Sequence, residues 1–243
     1  MRTVAIIQAR MNSNRLPGKV LKDICGESML SRVIHRVMCA ASLDNVVVAT
    51  SDTPADDLIE SECGKLRVTV FRGSEDDVLD RFYQAALFHK ADVAVRITAD
   101  CPLIEPIIID KVVQAFLSSY VDYVSNTLQR TYPRGLDVEA VSLRALAIAW
   151  KNSFKPYHRA HVTPYIYENV DFFKLLSVTN SSNWSKYRWT VDTSEDLQFV
   201  RRVYEILGCN SLFSWNEVLN LCEDDQSLVA LNSHIQQKAL EKS

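Results

Sequence analysis

Arg10, Arg15 and Lys19 stand within ten residues of one another near the amino end, in Gln8-Ala9-Arg10-Met11-Asn12-Ser13-Asn14-Arg15-Leu16-Pro17-Gly18-Lys19. The apolar run 4–7 precedes them and reads as a buried strand. A polar loop of small residues and fixed positive charge at the carboxyl end of such a strand suits a polyphosphate. Backbone N–H groups and cations together neutralise several phosphate oxygens there. The G-x-x-x-x-G-K-[ST] pattern is absent, and so is G-x-G-x-x-G, so the loop calls for another way of holding a nucleotide. Arg10 and Lys19 read as phosphate cations and Arg15 as a residue that shapes the loop. A solvated surface loop is the competing reading.

Two acids recur in similar settings. Asp100 follows the run 93–97 and precedes Cys101-Pro102, and Asp192 follows Trp189-Thr190-Val191. In open α/β sheets ligands collect at the carboxyl ends of strands. Two carboxylates at neighbouring strand tips can share one Mg²⁺, which takes one or two carboxylates and fills its shell with phosphate and water. Taken singly, each acid reads equally as a cap or a turn residue. Glu195 and Asp196 read as structural acids in the first turn of a helix capped by Thr193 or Ser194.

Alternating elements must position these groups. Short β-branched runs at 46–49, 68–71, 93–97 and 121–124 read as strands. Helical spacing joins Leu30, Val33, Ile34 and Val37, then Val78, Phe82, Ala85 and Ala86 behind Ser74 as N-cap, then 107–117 after Pro106. This rhythm predicts a mainly parallel sheet covered on both faces. Later segments are less regular: strands at 137–141, 173–178 and 188–191, and helices at 143–150, 157–168, 197–207 and 215–221. His158, Arg159 and His161 form a polar cluster on the 157–168 helix. Trp184, Tyr187 and Trp189 read as core or pocket wall.

The 243 residues are 47% apolar and 23% charged, with a net charge of −3. That balance makes no general case for nucleic acid. Runs such as 104–109 are too short to span a bilayer and contain Glu105 and Pro106, so no membrane partner is expected. The amino end lacks the pattern of a secretory signal, which predicts a cytoplasmic protein. Six cysteines without C-x-x-C spacing predict reduced, mostly buried thiols.

Taken together, the loop with its A-R-x-x-S-x-R-L-P-G-K core resembles the signature of the sugar-acid cytidylyltransferases. So do residues 73–81, 98–103, 132–139, 161–165 and 189–193. Over roughly residues 1–210 the chain is most similar to the spore-coat polysaccharide biosynthesis cytidylyltransferase-like branch. The resemblance implies a Rossmann-like nucleotide-diphospho-sugar transferase (GT-A-like) fold, α/β with three layers around a mostly parallel sheet. It implies a single domain over 1–243, with acceptor and dimerisation elements within about 128–190 and a helical tail at 211–243. It implies transfer from CTP to a sugar or sugar acid with loss of pyrophosphate, Mg²⁺ as cofactor and a homodimer. By matching position, Asp100 and Asp192 are the metal carboxylates, and Arg10 and Lys19 bind phosphate. Gln8, Ala9, Met11, Ser13, Arg15, Gly73, Ser74, Asp77, Thr98 and Ala99 line the nucleotide pocket. Tyr132, Arg134, Asp137, Glu139 and His161 face the acceptor. A glycosyltransferase on the same fold and a non-catalytic binding protein are the alternatives. The first is disfavoured by the absence of an Asp-x-Asp pair near Asp100, and the second by the joint presence of Arg10, Lys19, Asp100 and Asp192.

Overall fold

The computed structural model describes residues 1–209 and 212–238. The first half alternates as expected. β1 (Thr3–Gln8) is followed by a two-strand hairpin, β2 (Asp23–Ile24) and β3 (Glu27–Ser28), and by α1 (Met29–Met38). Then come β4 (Asn45–Ser51), α2 (Asp57–Leu66), β5 (Thr69–Gly73), α3 (Val78–Phe88), β6 (Val93–Thr98) and α4 (Pro106–Leu117). β7 (Tyr123–Ser125), β8 (Glu139–Ser142), α5 (Leu143–Asn152), α6 (Pro156–His161), α7 (Pro164–Glu168) and β9 (Leu175–Ser177) follow. α8 (Ser194–Leu207), α9 (Trp215–Asp224) and α10 (Gln226–Ala230) close the described chain.

The large sheet runs in the order β5-β4-β1-β6-β8-β7-β9. β1 pairs in parallel with β4 and β6, so Ile7 lies between Val48 and Ile97. The carboxyl ends of these strands therefore share one edge. β8 runs antiparallel to β6, which brings the start of β8 to that edge and sets Glu139 opposite Arg96. Strand alternation splits the core into two. Ala5 and Ile7 pack with α1, α2, α4, α8 and α9 on one face. Val4 and Ile6 pack with α3, α5 and α7 on the other. The result is three layers, α/β/α.

Several local expectations change. Ser74 does not cap α3. Asp77 does, accepting the Asp80 N–H at 2.9 Å, while the Ser74 hydroxyl accepts the Asp77 N–H one turn earlier. The 157–168 helix is broken in two at Val162, whose φ of 73° and ψ of −58° are strained for a β-branched residue. The Thr163 N–H returns to the His161 carbonyl at 2.9 Å, closing a three-residue turn. Segment 188–191 makes a single bridge, Arg134 with Arg188, and no strand. Residue 211 and residues 239–243 of the expected helical tail lie outside the described residues.

The thiols also depart from expectation. Cys25 is bonded to Cys209, with Cα atoms 5.4 Å apart. Cys25 sits at the tip of the β2–β3 hairpin, in a two-residue turn with positive φ at Cys25 and Gly26. The fold sets that tip beside the end of α8. A separation of 184 residues hides such a pair from any spacing rule. Of the free cysteines, Cys63, Cys101 and Cys222 are buried as expected and Cys39 is exposed.

Candidate active site

The cationic loop is fastened at several points. The Ala9 N–H donates to the Ala49 carbonyl at 3.2 Å, and the Gly18 N–H returns to the Met11 carbonyl at 3.0 Å. Gly18 makes this turn with φ of 66°, a conformation that suits glycine. The Met11 N–H donates to the Asp56 carboxylate at 2.7 Å. Among the described residues, the N–H groups of Arg10, Asn12 and Ser13 donate to none, and the exposed Arg10 guanidinium makes no ion pair. The Asn12 side chain reaches Glu75 at 2.5 Å.

Lys19 leaves this loop and points between Asp100, just past the end of β6, and Asp192, just before α8; the strand expected over 188–191 is absent, so only Asp100 stands at a strand tip. Its ammonium lies 2.8 Å from Asp100 Oδ2, 2.9 Å from Asp192 Oδ1 and 2.7 Å from the Val191 carbonyl. The Val191 N–H donates to the Asp100 carbonyl at 2.8 Å, which ties the two segments together. Burial alone would lower the Lys19 pKa, but the two carboxylates hold it above the ordinary lysine value. Burial alone would raise Asp100, but the Lys19 ammonium and the Thr98 hydroxyl, 2.6 Å away, hold its carboxyl well below the usual range. Lys19 is therefore an ammonium between two anions.

Asp192 has further partners. Arg15 reaches its Oδ2 at 2.9 Å and Arg188 reaches the same oxygen at 2.8 Å. Arg188 in turn pairs with the fully buried Asp196 at 2.8 Å. Asp196 accepts the N–H groups of Asp192 and Thr193, both at 3.0 Å. Arg15 thus does more than shape the loop. Asp196, expected as a structural acid of the first turn of α8, takes that place in a capping box with Thr193, and Arg188, which the sequence did not single out, joins it to Asp192. The signal for Arg188 is the 188/192/196 spacing, four residues each, leading into the start of a helix.

The gap between Asp100 and Asp192 fits a cation, since an ammonium already bridges it. Among the described residues no group of three or more His, Cys, Asp or Glu side chains could hold a metal. A divalent ion here would have two carboxylates and would need phosphate and water for the rest of its shell, the donor set typical of magnesium.

On the other face of the sheet, the Gln8 Oε1 accepts from Arg96 Nε at 2.6 Å, and Arg96 pairs with Glu139. Glu139 also accepts the Tyr123 hydroxyl at 2.6 Å and the Thr163 hydroxyl at 2.5 Å. All of these contacts are within the protein, and Glu139 is buried. The Ala99 N–H is bonded to the Gln8 carbonyl at 3.0 Å, closing β6 onto β1. Asp77 Oδ2 pairs with Arg159 of α6, whose Nε is 2.9 Å away. Gly73 is close to Arg81, whose Cγ would lie 3.2 Å from an added Cβ.

The residues expected to face the acceptor divide. Tyr132 is buried with its ring edge-on to Trp215 and its hydroxyl 2.9 Å from Lys111 Nζ. Asp137 is held by a two-pronged contact from Arg130 at 2.6 and 2.8 Å. The Arg134 guanidinium makes no hydrogen bond or ion pair with a described residue, and burial, then Arg130, hold its pKa below the ordinary value. Its backbone is fixed. The Arg134 N–H donates to the Tyr187 carbonyl at 3.0 Å, and the Trp189 N–H donates to the Arg134 carbonyl at 2.6 Å. Gly135 makes this approach possible, because a Cβ there would lie 2.6 Å from both the Trp189 carbonyl carbon and the Thr190 nitrogen. Tyr187 stacks between Trp184 and the fully buried Trp189, as a wall. His161 ends α6 at the strained turn. His158 lies apart from the carboxylate pair, with Nε2 2.9 Å from Glu168 between Tyr157 and Tyr165.

Known proteins share this arrangement of chain. The sequence profile of the family described as Cytidylyltransferase matches residues 4–235. The spore coat polysaccharide biosynthesis protein SpsF of Bacillus subtilis is 35% identical over 223 residues, covering 89% of this chain and 92% of its own. The 3-deoxy-manno-octulosonate cytidylyltransferase of Trichlorobacter lovleyi is 34% identical over 119 residues, 49% of this chain and 46% of its own. A solved cytidylyltransferase from Leptospira borgpetersenii superposes with a TM-score of 0.92 at 34% identity, covering 98% of this chain and all of its own. With a cationic loop facing the paired carboxylates of Asp100 and Asp192, and a match across nearly its whole length, the chain belongs to the cytidylyltransferase family of nucleotidyltransferases.

Proposed function

We propose that the protein transfers the cytidylyl group of CTP to an oxygen of a sugar or sugar acid, releasing pyrophosphate, in the making of a surface polysaccharide. The observation that carries this reading is the Lys19 ammonium held between Asp100 and Asp192 beneath a loop with undonated N–H groups. In the reaction the acceptor oxygen bonds to the α-phosphorus, the bond to the bridging oxygen breaks, and pyrophosphate departs. Such transfer asks the protein for in-line positioning and for neutralisation of phosphate charge.

The free N–H groups of Arg10, Asn12 and Ser13 and the Arg10 guanidinium supply donors for phosphate oxygens. Lys19 supplies a cation beside them. Asp100 and Asp192 would hold magnesium, which when bound neutralises triphosphate charge as a Lewis acid. Arg15 and Arg188 fix Asp192 and keep it from repelling the triphosphate. Gln8, Ala9, Met11, Ser13, Gly73, Ser74, Asp77, Thr98 and Ala99 line the nucleotide side. On the acceptor side Arg134 is the unpaired cation, and it suits a carboxylate or phosphate on the acceptor. Asp137, Glu139 and Tyr132 act there through Arg130, Arg96 and the wall they build, and His161 borders the same side. The named substrate of the Trichlorobacter relative, 3-deoxy-manno-octulosonate, and the named pathway of SpsF support a sugar acid and a polysaccharide. A cytoplasmic homodimer formed through elements within about 128–190 completes the proposal.

The test is pyrophosphate release from each of the four nucleoside triphosphates, with Mg²⁺ and a panel of sugars and sugar acids. Release with CTP and an acidic acceptor is expected, and Asp100→Asn should abolish it. Release from another nucleotide alone, or undiminished release by the variant, would overturn the base assignment or the metal assignment respectively.

A further inference from the structure

Asp56 has no part in the chemistry above, yet it holds the loop that does. It is 1% exposed. It occupies the N-cap position of α2, but its side chain makes no cap bond to that helix. The usual reason for an acid at that position is therefore missing. The carboxylate turns instead toward the sheet edge. Its Oδ1 accepts the Met11 N–H at 2.7 Å, across 45 residues. Its Oδ2 accepts the Thr50 hydroxyl at 2.8 Å, the Ser51 N–H at 2.9 Å and the Ser51 hydroxyl at 2.5 Å. Burial alone would push its carboxyl up, but these donors, Ser51 first, hold it below the ordinary range. It is a buried anion satisfied by hydrogen bonds, with no ion pair among the described residues.

Met11 is the knot of the loop. Its C=O accepts the Gly18 N–H at 3.0 Å, so the segment 12–17 leaves from and returns to Met11. The undonated N–H groups of Arg10, Asn12 and Ser13 flank it. We propose that Asp56 is a positioning residue for nucleotide binding: by taking the Met11 N–H it turns its neighbours' N–H groups and Arg10 toward the triphosphate. This rests on the CTP reading. A side chain at 56 that offers no acceptor, such as alanine, would leave the Met11 N–H free to turn, and the flanking donors would no longer be aimed.

Calorimetric titration with CTP, beside thermal melts, tests it on the whole protein. Asp56→Ala is expected to weaken CTP binding about tenfold or more, with the acceptor KM changed by less than about twofold. Ser51→Ala removes a donor from the other carboxylate oxygen and leaves the Met11 contact. It should lower Tm while CTP binding stays within about twofold of wild type. If both variants lose CTP affinity in step with Tm, or if Asp56→Ala binds CTP as wild type does, the positioning role is wrong. Wild type that fails to bind CTP would instead remove the nucleotide reading itself. Amide exchange on the wild type needs no variant. Slow exchange at Met11, with fast exchange at Arg10, Asn12 and Ser13 until CTP is added, supports the proposal, and fast exchange at Met11 overturns it.

Discussion

Replacing Lys19 by methionine removes the cation that touches both Asp100 and Asp192 while keeping most of the side-chain volume. Breaking a fully buried ion pair by removing one partner costs about 3–5 kcal/mol. Here the side chains of Lys19 and Asp100 are 11% and 25% exposed, and Asp192 keeps Arg15 and Arg188. Water and those guanidiniums reduce the cost to about 2–3 kcal/mol. At about 2–4 °C per kcal/mol for a chain of this size, the melting temperature should fall by about 4–12 °C. The deficit should be flat through the neutral range. The Asp100 pKa is lowered, so its contribution is present above the ordinary carboxylate value and lost as pH falls through the folded one. The Lys19 pKa is raised, so its contribution is present below 10.5 and lost as pH rises through the folded value. Methionine also vacates the place between two carboxylates. Mn²⁺ or Mg²⁺ without nucleotide should then stabilise the variant, by about 2.7 kcal/mol at a hundred times its Kd, which is close to the loss. Free wild type should gain little from the same ion, because its own ammonium stands there. Melts of both proteins with and without the ion read this directly. An unchanged melting temperature in the variant, or an equal metal response in the two proteins, would refute the reasoning. Pyrophosphate release by the variant should fall by about a hundredfold or more if Lys19 also serves the phosphates.

Arg134→Ala should raise the KM for an acidic acceptor by about tenfold or more, as expected for a lost charged hydrogen bond, and leave the KM for CTP unchanged. Equal KM values for the acceptor would show that Arg134 faces something else. Gly135→Ala should cost more than about 2 kcal/mol in thermal or denaturant unfolding, because φ is 108° and the new Cβ meets backbone at 2.6 Å. A variant as stable as wild type would mean that the contact between 134–137 and 188–190 is loose. Cys25→Ser should lower stability by about 2–4 kcal/mol under oxidising conditions and make no difference in reductant, as melts in both conditions will show.

The parallel half of the fold was legible because its signals are local. Runs such as 46–49 are β-branched and bounded by turn residues, and the apolar spacing in α1 is helical throughout. Asp100 was found because a strand ends just before it. The second half resisted because its structure is set by contacts far apart in sequence. Residues 188–191 have strand composition, yet Gly135 brings another backbone against them so closely that only one bridge forms. The 157–168 segment has helical spacing, but the turn at Val162 and the proline at 164 divide it. Asp56 was not singled out in the sequence, because no local rule reveals a side chain that turns to a loop 45 residues away. The Ser74 reading failed by one turn for a similar reason, since Asp77 both caps α3 and pairs with Arg159.

The antiparallel insertion of β8 explains why one sheet edge can hold two opposite electrostatic tasks. Parallel strands alone bring their carboxyl ends to that edge, with Gln8, Thr98 and the loops that follow. β8 enters reversed, so its first residue, Glu139, is set beside Arg96 and neutralises it before it reaches the loop region. Arg96 is thereby engaged by Glu139 and Gln8, while Arg10 and Arg134 make no ion pair with a described residue. In the sequence Arg10 precedes both carboxylates, and Arg134 lies between them. On the proposed reading, a donor with three phosphates and an acceptor with one anionic group would meet separate positive charges, while Lys19 pairs with Asp100 and Asp192 in the free protein. A nucleotide that draws Lys19 onto its phosphates would release the two carboxylates, and magnesium would then be held by the nucleotide-bound protein rather than by the free one.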